Sequence, residues 1–98
     1  MSAPQNEVWY SDGFLKDAKK LPKEVQGKLG DLISILQEDA FDPRLHSKPL
    51  SVPLQGVFSF RITRDYRVGF EFSGPFKVKL LIVDKRGQIY KRLTRKKL

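Results

Sequence analysis

The alternation of apolar and polar residues is clearest in the segment 57–72, VFSFRITRDYRVGFEF. Every second residue on each side of a short turn at Thr63–Arg64 is apolar: Phe58, Phe60 and Ile62, then Tyr66, Val68, Phe70 and Phe72. The intervening positions are Val57, Ser59, Arg61, Asp65, Arg67, Gly69 and Glu71. Because successive side chains of a strand point to opposite faces, this pattern predicts a β-hairpin. One face is apolar, and the other carries Arg61 and Arg67 together.

Helical spacing of apolar residues replaces this alternation in the first third of the chain. Ser11 or Asp12 can cap a first helix, and Pro22 marks a break that suits the first turn of a second one. The apolar positions of the two helices are Phe14, Ala18 and Leu21, then Val25, Leu29, Leu32, Ile33 and Leu36. The second set forms one stripe along its helix. The aromatic segment Glu7–Tyr10, ahead of both helices, is predicted to be a short strand.

The rest of the chain is predicted to be a loop followed by strands. Residues 38–53 lose all periodicity and form a proline-rich loop. After the hairpin, the pattern predicts a strand at Phe76–Val83, a turn at Asp84–Gln88 and a last short strand at Ile89–Leu93. The basic tail Thr94–Leu98 is expected to fray.

This order of elements predicts one α+β domain over residues 1–98. An N-terminal strand and a two-helix hairpin pack on a four- to five-stranded, mainly antiparallel sheet. The apolar wall of the β-hairpin faces the helical stripes, so we expect Arg61 and Arg67 to face away from the helices.

Composition narrows the class of protein. The chain has 98 residues and a net charge of +8, from 19 Lys and Arg against 11 Asp and Glu. This excess favours a nucleic acid or an acidic protein as partner, although many small proteins are basic without such a partner. There is no cysteine, the start MSAPQNEV is polar, and the longest aliphatic run, Leu80–Val83, is too short to span a bilayer. A cytoplasmic protein is therefore expected.

The arginines are the first candidates for chemistry. The planar guanidinium groups of Arg61 and Arg67 match phosphate oxygens, and Arg86 with Lys85 lies in the predicted turn, where it could close the same pocket. The alternative to phosphate binding is that each of them is an ordinary charged residue on the protein surface. Since His46 is the only histidine, no metal site is predicted, and no glycine-rich phosphate loop is present. No cofactor is expected.

Four segments, in this order, resemble the RelE/ParE superfamily of type II toxins. They are LKDAKKLPKEVQGKL (15–29), DPRLHSKPL (42–50), FSFRITRDYRVGFEF (58–72) and KLLIVDKRGQIYKRL (79–93). The resemblance covers about residues 7–93. It implies a toxin that a cognate antitoxin holds inactive, the antitoxin lying as a helix or extended segment over the basic face or the helical hairpin.

The fold of this superfamily hosts two activities. RelE-like members cut mRNA in the A site of the 70S ribosome without a metal, and ParE-like members inhibit DNA gyrase without cutting RNA. The first activity requires stabilisation of a phosphate and proton transfer at the 2′ and 5′ oxygens. The resemblance implies that Tyr90 lies in such a site, and Arg61, Arg67 and Arg86 would hold the phosphate.

Further candidates follow from position and charge. His46 suits acid–base chemistry near neutral pH and lies where some members place functional histidines, although a lone loop histidine is often idle. Tyr90 could equally be a strand tyrosine that packs its ring. The candidate RNA-binding residues are Lys48, Arg64, Lys85, Lys91 and Arg92.

Two departures from the RelE type keep the gyrase alternative open. A lysine of that type is replaced here by Ser59, which removes a cation, and another is replaced by Arg61. We therefore expect a ribosome-dependent mRNA endonuclease, with a gyrase inhibitor or an inactive nucleic-acid-binding relative as alternatives.

Overall fold

The computed structural model describes residues 6–97, without the side chain of Lys97. The helices are α1 (Asp12–Lys19), α2 (Lys23–Glu38) and α3 (Arg86–Lys97). The strands are β1 (Glu7–Tyr10), β2 (Lys48–Pro49), β3 (Val57–Arg61), β4 (Tyr66–Gly74) and β5 (Lys77–Lys85). They form a five-stranded sheet in the order β1-β5-β4-β3-β2, in which only the β1–β5 pair is parallel. The predicted α+β class is confirmed.

The helical hairpin forms where the sequence predicts it. Ser11 caps α1: its hydroxyl accepts a hydrogen bond from the Phe14 N–H (3.0 Å) and donates one to the Leu81 carbonyl (2.8 Å). The cap therefore also ties α1 to β5. Pro22 precedes α2, whose predicted stripe is buried at Val25, Leu29, Leu32 and Leu36.

The larger core lies between these two helices and the apolar face of the β-hairpin. Phe60, Val68 and Phe70 are fully buried there. The rings of Phe60 and Phe70 are 5.9 Å apart, within the range of favourable aromatic pairs. The predicted register is confirmed, since Phe60 lies opposite Val68 and Arg61 lies opposite Arg67.

The prediction of a turn and a last strand at Ile89–Leu93 is wrong, because residues 86–97 form the helix α3. Ile89 and Leu93 are four residues apart, so they lie on one face of a helix, and both are fully buried. The tail is helical through Lys97 rather than frayed, and Leu98 lies outside the described residues.

The α3 helix covers the second face of the sheet, so the expectation that helices lie on one face only is also wrong. Ile89 and Leu93 pack in a smaller core formed with Leu54, Val57, Leu81 and Ile82. Gly69 makes room for this packing: a Cβ at that position would lie 2.9 Å from Leu93 Cδ1. A larger residue at 69 would therefore force the Leu93 side chain, or the helix that carries it, to shift.

The predicted loop over 38–53 contains a 3-10 helix at Pro43–Leu45 and the short edge strand β2. Within residues 6–97, no helix has the length and apolar character needed to cross a bilayer.

Candidate functional site: an arginine cluster beside the last helix

The β-hairpin holds two arginines side by side, as the sequence predicts. Arg61 on β3 and Arg67 on β4 are directly opposite each other, so they lie on the same face of the sheet, the face that carries α3. Side chains in such a pair have Cβ atoms about 4.5–5.5 Å apart, and like charges at this spacing repel. Arg61 is exposed and Arg67 is half-buried.

Arg67 is the centre of the cluster. Its Nη1 donates a hydrogen bond to the Thr63 carbonyl (3.1 Å), which fixes the direction of the guanidinium group. Burial lowers the pKa of Arg67, and the positive charges of Arg61 and Arg86 lower it further, while Tyr90 and Asp65 act in the opposite direction. The side chain remains a cation at neutral pH.

The carboxylate opposite this arginine in the sheet is engaged elsewhere. Asp84 on β5 lies directly opposite Arg67, but its Oδ2 accepts a hydrogen bond from Arg92 Nη1 (2.9 Å). Arg92 Nη2 also contacts Asp17 Oδ1 on α1 (3.1 Å). Hydrogen bonds from Arg92 to both carboxylates raise the pKa of Arg92.

As a result, Arg61, Arg67 and Arg86 form no ion pair with any carboxylate of residues 6–97. Cations that repel one another, without an ion-paired carboxylate among residues 6–97, are arranged to bind an anion with several oxygens, such as a phosphate.

The α3 helix contributes Arg86 and Tyr90 to the cluster. They are four residues apart and share a face of the helix, next to the buried positions Ile89 and Leu93. The start of α3 is attached to the hairpin turn by a hydrogen bond from the Arg86 N–H to the Asp65 carbonyl (2.8 Å). The sequence therefore identifies these two residues, although it assigns them to a turn and a strand.

The exposed fraction of Tyr90 is 36%. It lines an open concavity on α3 together with Lys91, Thr94 and Arg95. Tyr90 also acts electrostatically on Arg67, so it links this concavity with the arginine cluster.

His46 lies on the other side of Arg61. It follows the 3-10 helix, has a left-handed backbone (φ 52°) and is exposed. The loop before it is fixed by Asp42, whose carboxylate accepts two hydrogen bonds from the Arg44 guanidinium (3.0 Å each). A cavity of about 420 Å³ joins His46 to a set of basic residues: Lys28, Arg44, Arg61 and Arg64. Arg61 thus connects this cavity with the arginine cluster.

The remaining predicted RNA-binding residues are spread around the cluster. Lys48, Lys85 and Lys91 are exposed, on β2, at the end of β5 and on α3 respectively. Arg92 is engaged by Asp17 and Asp84. Among residues 6–97, no group of three His, Cys, Asp or Glu side chains could hold a metal ion.

Ser59, which replaces a lysine of the RelE type, is 1% exposed. Its hydroxyl has no hydrogen-bond partner within the described part of the chain. It lies beside Gly69 on the face covered by α3. Two small residues therefore provide the surface on which this helix packs.

Sequence reasoning missed three residues that organise the site, Asp17, Gly69 and Asp84, and it assigned Arg92 to RNA binding, whereas the structure pairs Arg92 with Asp17 and Asp84. The signal for a helix on this face is the run Leu80–Val83, since four consecutive apolar residues in a strand require burial on both faces. The pairing of Arg92 with Asp17, 75 residues earlier in the chain, has no local signal.

Comparison with known proteins gives matches among solved structures only. No family model matches the chain. No curated protein matches it either.

The matching structures include a toxin and complexes of toxins with antitoxins. The toxin-antitoxin complex RelBE2 of Mycobacterium tuberculosis contains a chain that is 27% identical, with a TM-score of 0.70 over 85% of this chain and 99% of that one. The YoeB/ParE toxin of Agrobacterium tumefaciens is 19% identical, with a TM-score of 0.72 over 82% and 98%. The archaeal RelE-RelB complex of Pyrococcus horikoshii contains a chain that is 20% identical, with a TM-score of 0.71 over 86% and 98%. The chain thus has the fold of the RelE/ParE superfamily of toxin-antitoxin toxins, as its sequence motifs indicate.

Proposed function

We propose that this protein is the toxin of a type II toxin-antitoxin system and that it cleaves mRNA on the ribosome. The observation that carries the proposal is the set of three arginines that form no ion pair with a carboxylate of residues 6–97, grouped around the half-buried Arg67 and beside Tyr90. Such a set suits the pentacoordinate phosphate through which RNA cleavage proceeds, because that phosphate carries more negative charge than the ground state.

Each residue has a distinct role in this proposal. Arg67, on a central strand and oriented by Thr63, stabilises the charge that develops on the phosphate oxygens. Arg61 and Arg86 hold the same phosphate from either side. Tyr90 takes part in proton transfer at the 2′ or the 5′ oxygen.

His46 is the second acid–base candidate. It shares a cavity with Arg61 and Arg64, so it could act on the nucleotide next to the phosphate held by Arg67. The exposed cations Lys48, Lys85 and Lys91 would contact the RNA backbone on either side.

A cognate antitoxin is the expected partner. The matching chains from M. tuberculosis and P. horikoshii come from complexes of a toxin with its antitoxin. At +8, this chain also carries the charge that favours an acidic or polyanionic partner.

Ser59 favours a second candidate function, inhibition of DNA gyrase without catalysis. Its side chain is small, neutral and buried under α3, so this position supplies no cation to the site. One matching structure is the YoeB/ParE toxin of A. tumefaciens.

The test is single-turnover cleavage of mRNA on programmed 70S ribosomes, beside a gyrase supercoiling assay. Replacement of Arg67 by Ala should lower cleavage by roughly 10²–10³-fold, the usual loss for one preorganised donor. Tyr90→Phe removes only the hydroxyl and should lower cleavage by on the order of 10²-fold. Lys16→Ala, which removes an exposed charge on α1, is the control and should cleave like the wild type.

Two results would contradict the proposal. Wild-type cleavage by folded Arg67→Ala protein would remove the arginine cluster from the active site. Intact mRNA together with lost supercoiling would establish the gyrase alternative.

A further inference from the structure

An aromatic groove lies at the end of the sheet remote from the arginine cluster. Its walls are Phe41, after α2, and Phe72 and Phe76, at the turn between β4 and β5. The volume is about 520 Å³, and the three side chains are 55%, 37% and 63% exposed. Large apolar side chains grouped at this exposure mark an interaction surface in soluble proteins.

The groove is rigid because its rings continue into the core. Phe41 contacts Phe58 and Phe72, with ring centroids 5.7 and 5.9 Å apart. Phe58 stacks in turn on the buried Phe70, at 5.6 Å. A partner that docks here therefore meets a preformed surface, so binding loses little conformational entropy from the side chains of the groove.

The backbone also holds Phe76 in place. Its φ angle is +59°, in the left-handed region that a bulky residue rarely adopts. The Phe76 carbonyl accepts a hydrogen bond from the Glu7 N–H (2.7 Å), which fixes this conformation. Strained backbone of this kind is concentrated at functional positions.

The charged rim of the groove is acidic, in contrast to the chain as a whole. Glu38 ends α2 and Asp39 follows it, and both are exposed. Helix C-termini carry a partial negative charge that favours cations, yet the last turn of α2 contains no basic residue. The neighbouring cation Arg44 forms its ion pair with Asp42 and acts on Glu38 through its charge alone. The rim is therefore electrostatically suited to a cation from outside.

This charge pattern selects the occupant. A nucleic acid would be repelled by the rim. A second copy of the chain, docked by the same groove about a two-fold axis, would bring two acidic rims together. A protein segment with two or three large apolar side chains next to a lysine or arginine fits this groove. Its apolar side chains would pack on the aromatic rings, and its cation would pair with the acidic rim.

We propose that the aromatic groove binds such a cationic, amphipathic segment of the antitoxin. The chemistry of the segment follows from the groove alone, whereas its place in the antitoxin rests on the proposed function. Phe72 is five residues along β4 from Arg67, about 17 Å, and on the other face of the sheet. The groove is thus an anchor for the partner that leaves the arginine cluster uncovered.

The probe for this proposal is a displayed library of random twelve-residue peptides, selected on the full-length wild type. Selected peptides should combine large apolar residues with lysine or arginine. Their affinity should fall by roughly 30-fold or more for the double variant Phe41→Ser/Phe76→Ser, as expected for the loss of aromatic anchors. The matched control is Leu15→Ser/Val52→Ser, which removes two exposed apolar side chains outside the groove and should leave the affinity unchanged.

A charge variant tests the rim separately. For Glu38→Lys/Asp39→Lys, the selected peptides should bind more weakly, and the weakening of their binding by salt should disappear. Thermal unfolding of each variant establishes that it is folded.

Three results would overturn the proposal. Selected peptides could be acidic or uncharged, or they could bind the double serine variant as well as the wild type. Alternatively, sedimentation could show a dimer of the wild type and a monomer of the serine variant, which would make a second copy the occupant. Peptide binding without mRNA cleavage would refute the proposed function but not the proposal that the groove binds a peptide. Cleavage without peptide binding would refute the groove proposal but not the proposed function.

Discussion

The two faces of the sheet differ in how they are covered. On one face, α1 and α2 bury a large core with fully enclosed aromatic rings, including Phe60 and Phe70. On the other face, α3 packs through a smaller core, and charged residues surround it. The difference indicates that the first face provides most of the stability, whereas the second positions Arg67, Arg86 and Tyr90 for chemistry.

The largest expected effect is a loss of stability on the first face. Phe60→Ala removes a fully buried ring, so the free energy of unfolding should fall by about 3–5 kcal/mol. Phe76→Ala, at a 63% exposed position, is the control and should change it by only about 0.5 kcal/mol. Chemical denaturation measures both, and equal losses would show that the first face does not dominate stability.

A smaller effect on stability, but a clear one on activity, is expected under α3. Gly69→Ala places a methyl group 2.9 Å from Leu93 Cδ1, so the Leu93 side chain or the helix that carries it must shift, and we expect the helix to shift. Overpacking of this kind costs about 1–3 kcal/mol, and cleavage should fall because Arg86 and Tyr90 move with the helix.

Gly30→Ala is the matched control for this prediction. Its new Cβ meets no atom within 4 Å, and alanine favours a helix over glycine by roughly 1 kcal/mol. This variant should be slightly more stable than the wild type and equally active. If Gly69→Ala also cleaved at the wild-type rate, the position of α3 would not control the site.

The pairing of Arg92 with Asp84 should have a moderate effect. Arg92→Gln frees the Asp84 carboxylate to pair with Arg67, which lies opposite it. A partly exposed ion pair is worth on the order of 1 kcal/mol, so cleavage should fall roughly fivefold.

The double variant Arg92→Gln/Asp84→Asn removes the competing carboxylate and should restore most of the cleavage. Persistent loss in the double variant would mean that Arg92 acts by holding α3 against α1 and not by engaging Asp84.

The smallest effect concerns the loop that carries His46. Hydrogen bonds from Arg44 lower the pKa of the Asp42 carboxyl from 3.8 to about 2. The charged pair therefore stabilises the folded chain fully at pH values above the unfolded-state pKa of 3.8, and this stabilisation is lost as the pH falls from 3.8 toward 2. In an NMR titration, Arg44→Gln should raise this pKa toward 3.8, and an unchanged value would show that Arg44 is not its cause.

The sequence predicts the first face well and the second poorly. Alternation fixes the register of the β-hairpin, and helical spacing fixes the buried stripe of α2, because both patterns are local. A strand is predicted at Ile89–Leu93, although the apolar positions of this segment have the four-residue spacing of a helix. Without α3, the face that carries Arg61 and Arg67 is expected to be open, and the burial of Ser59 and Gly69 cannot be foreseen.

The candidate site shows the same division. Arg61 and Arg67 follow from strand periodicity, and Arg86 and Tyr90 from motif resemblance. The engagement of Asp84 by Arg92 depends on a contact between α1 and α3, which no local pattern encodes.

The parallel pairing of β1 with β5 has a consequence for the newly made chain. Glu7 pairs with Lys77, so the first strand cannot take its place until the fifth has been synthesised, and α3 follows the whole sheet in the sequence. Contacts between such distant segments form slowly, because a long stretch of chain must first be ordered. A nascent chain therefore exposes Arg61 and Arg67 before Arg86 and Tyr90 can join them. The arginine cluster is therefore completed late, after the β-hairpin has been synthesised.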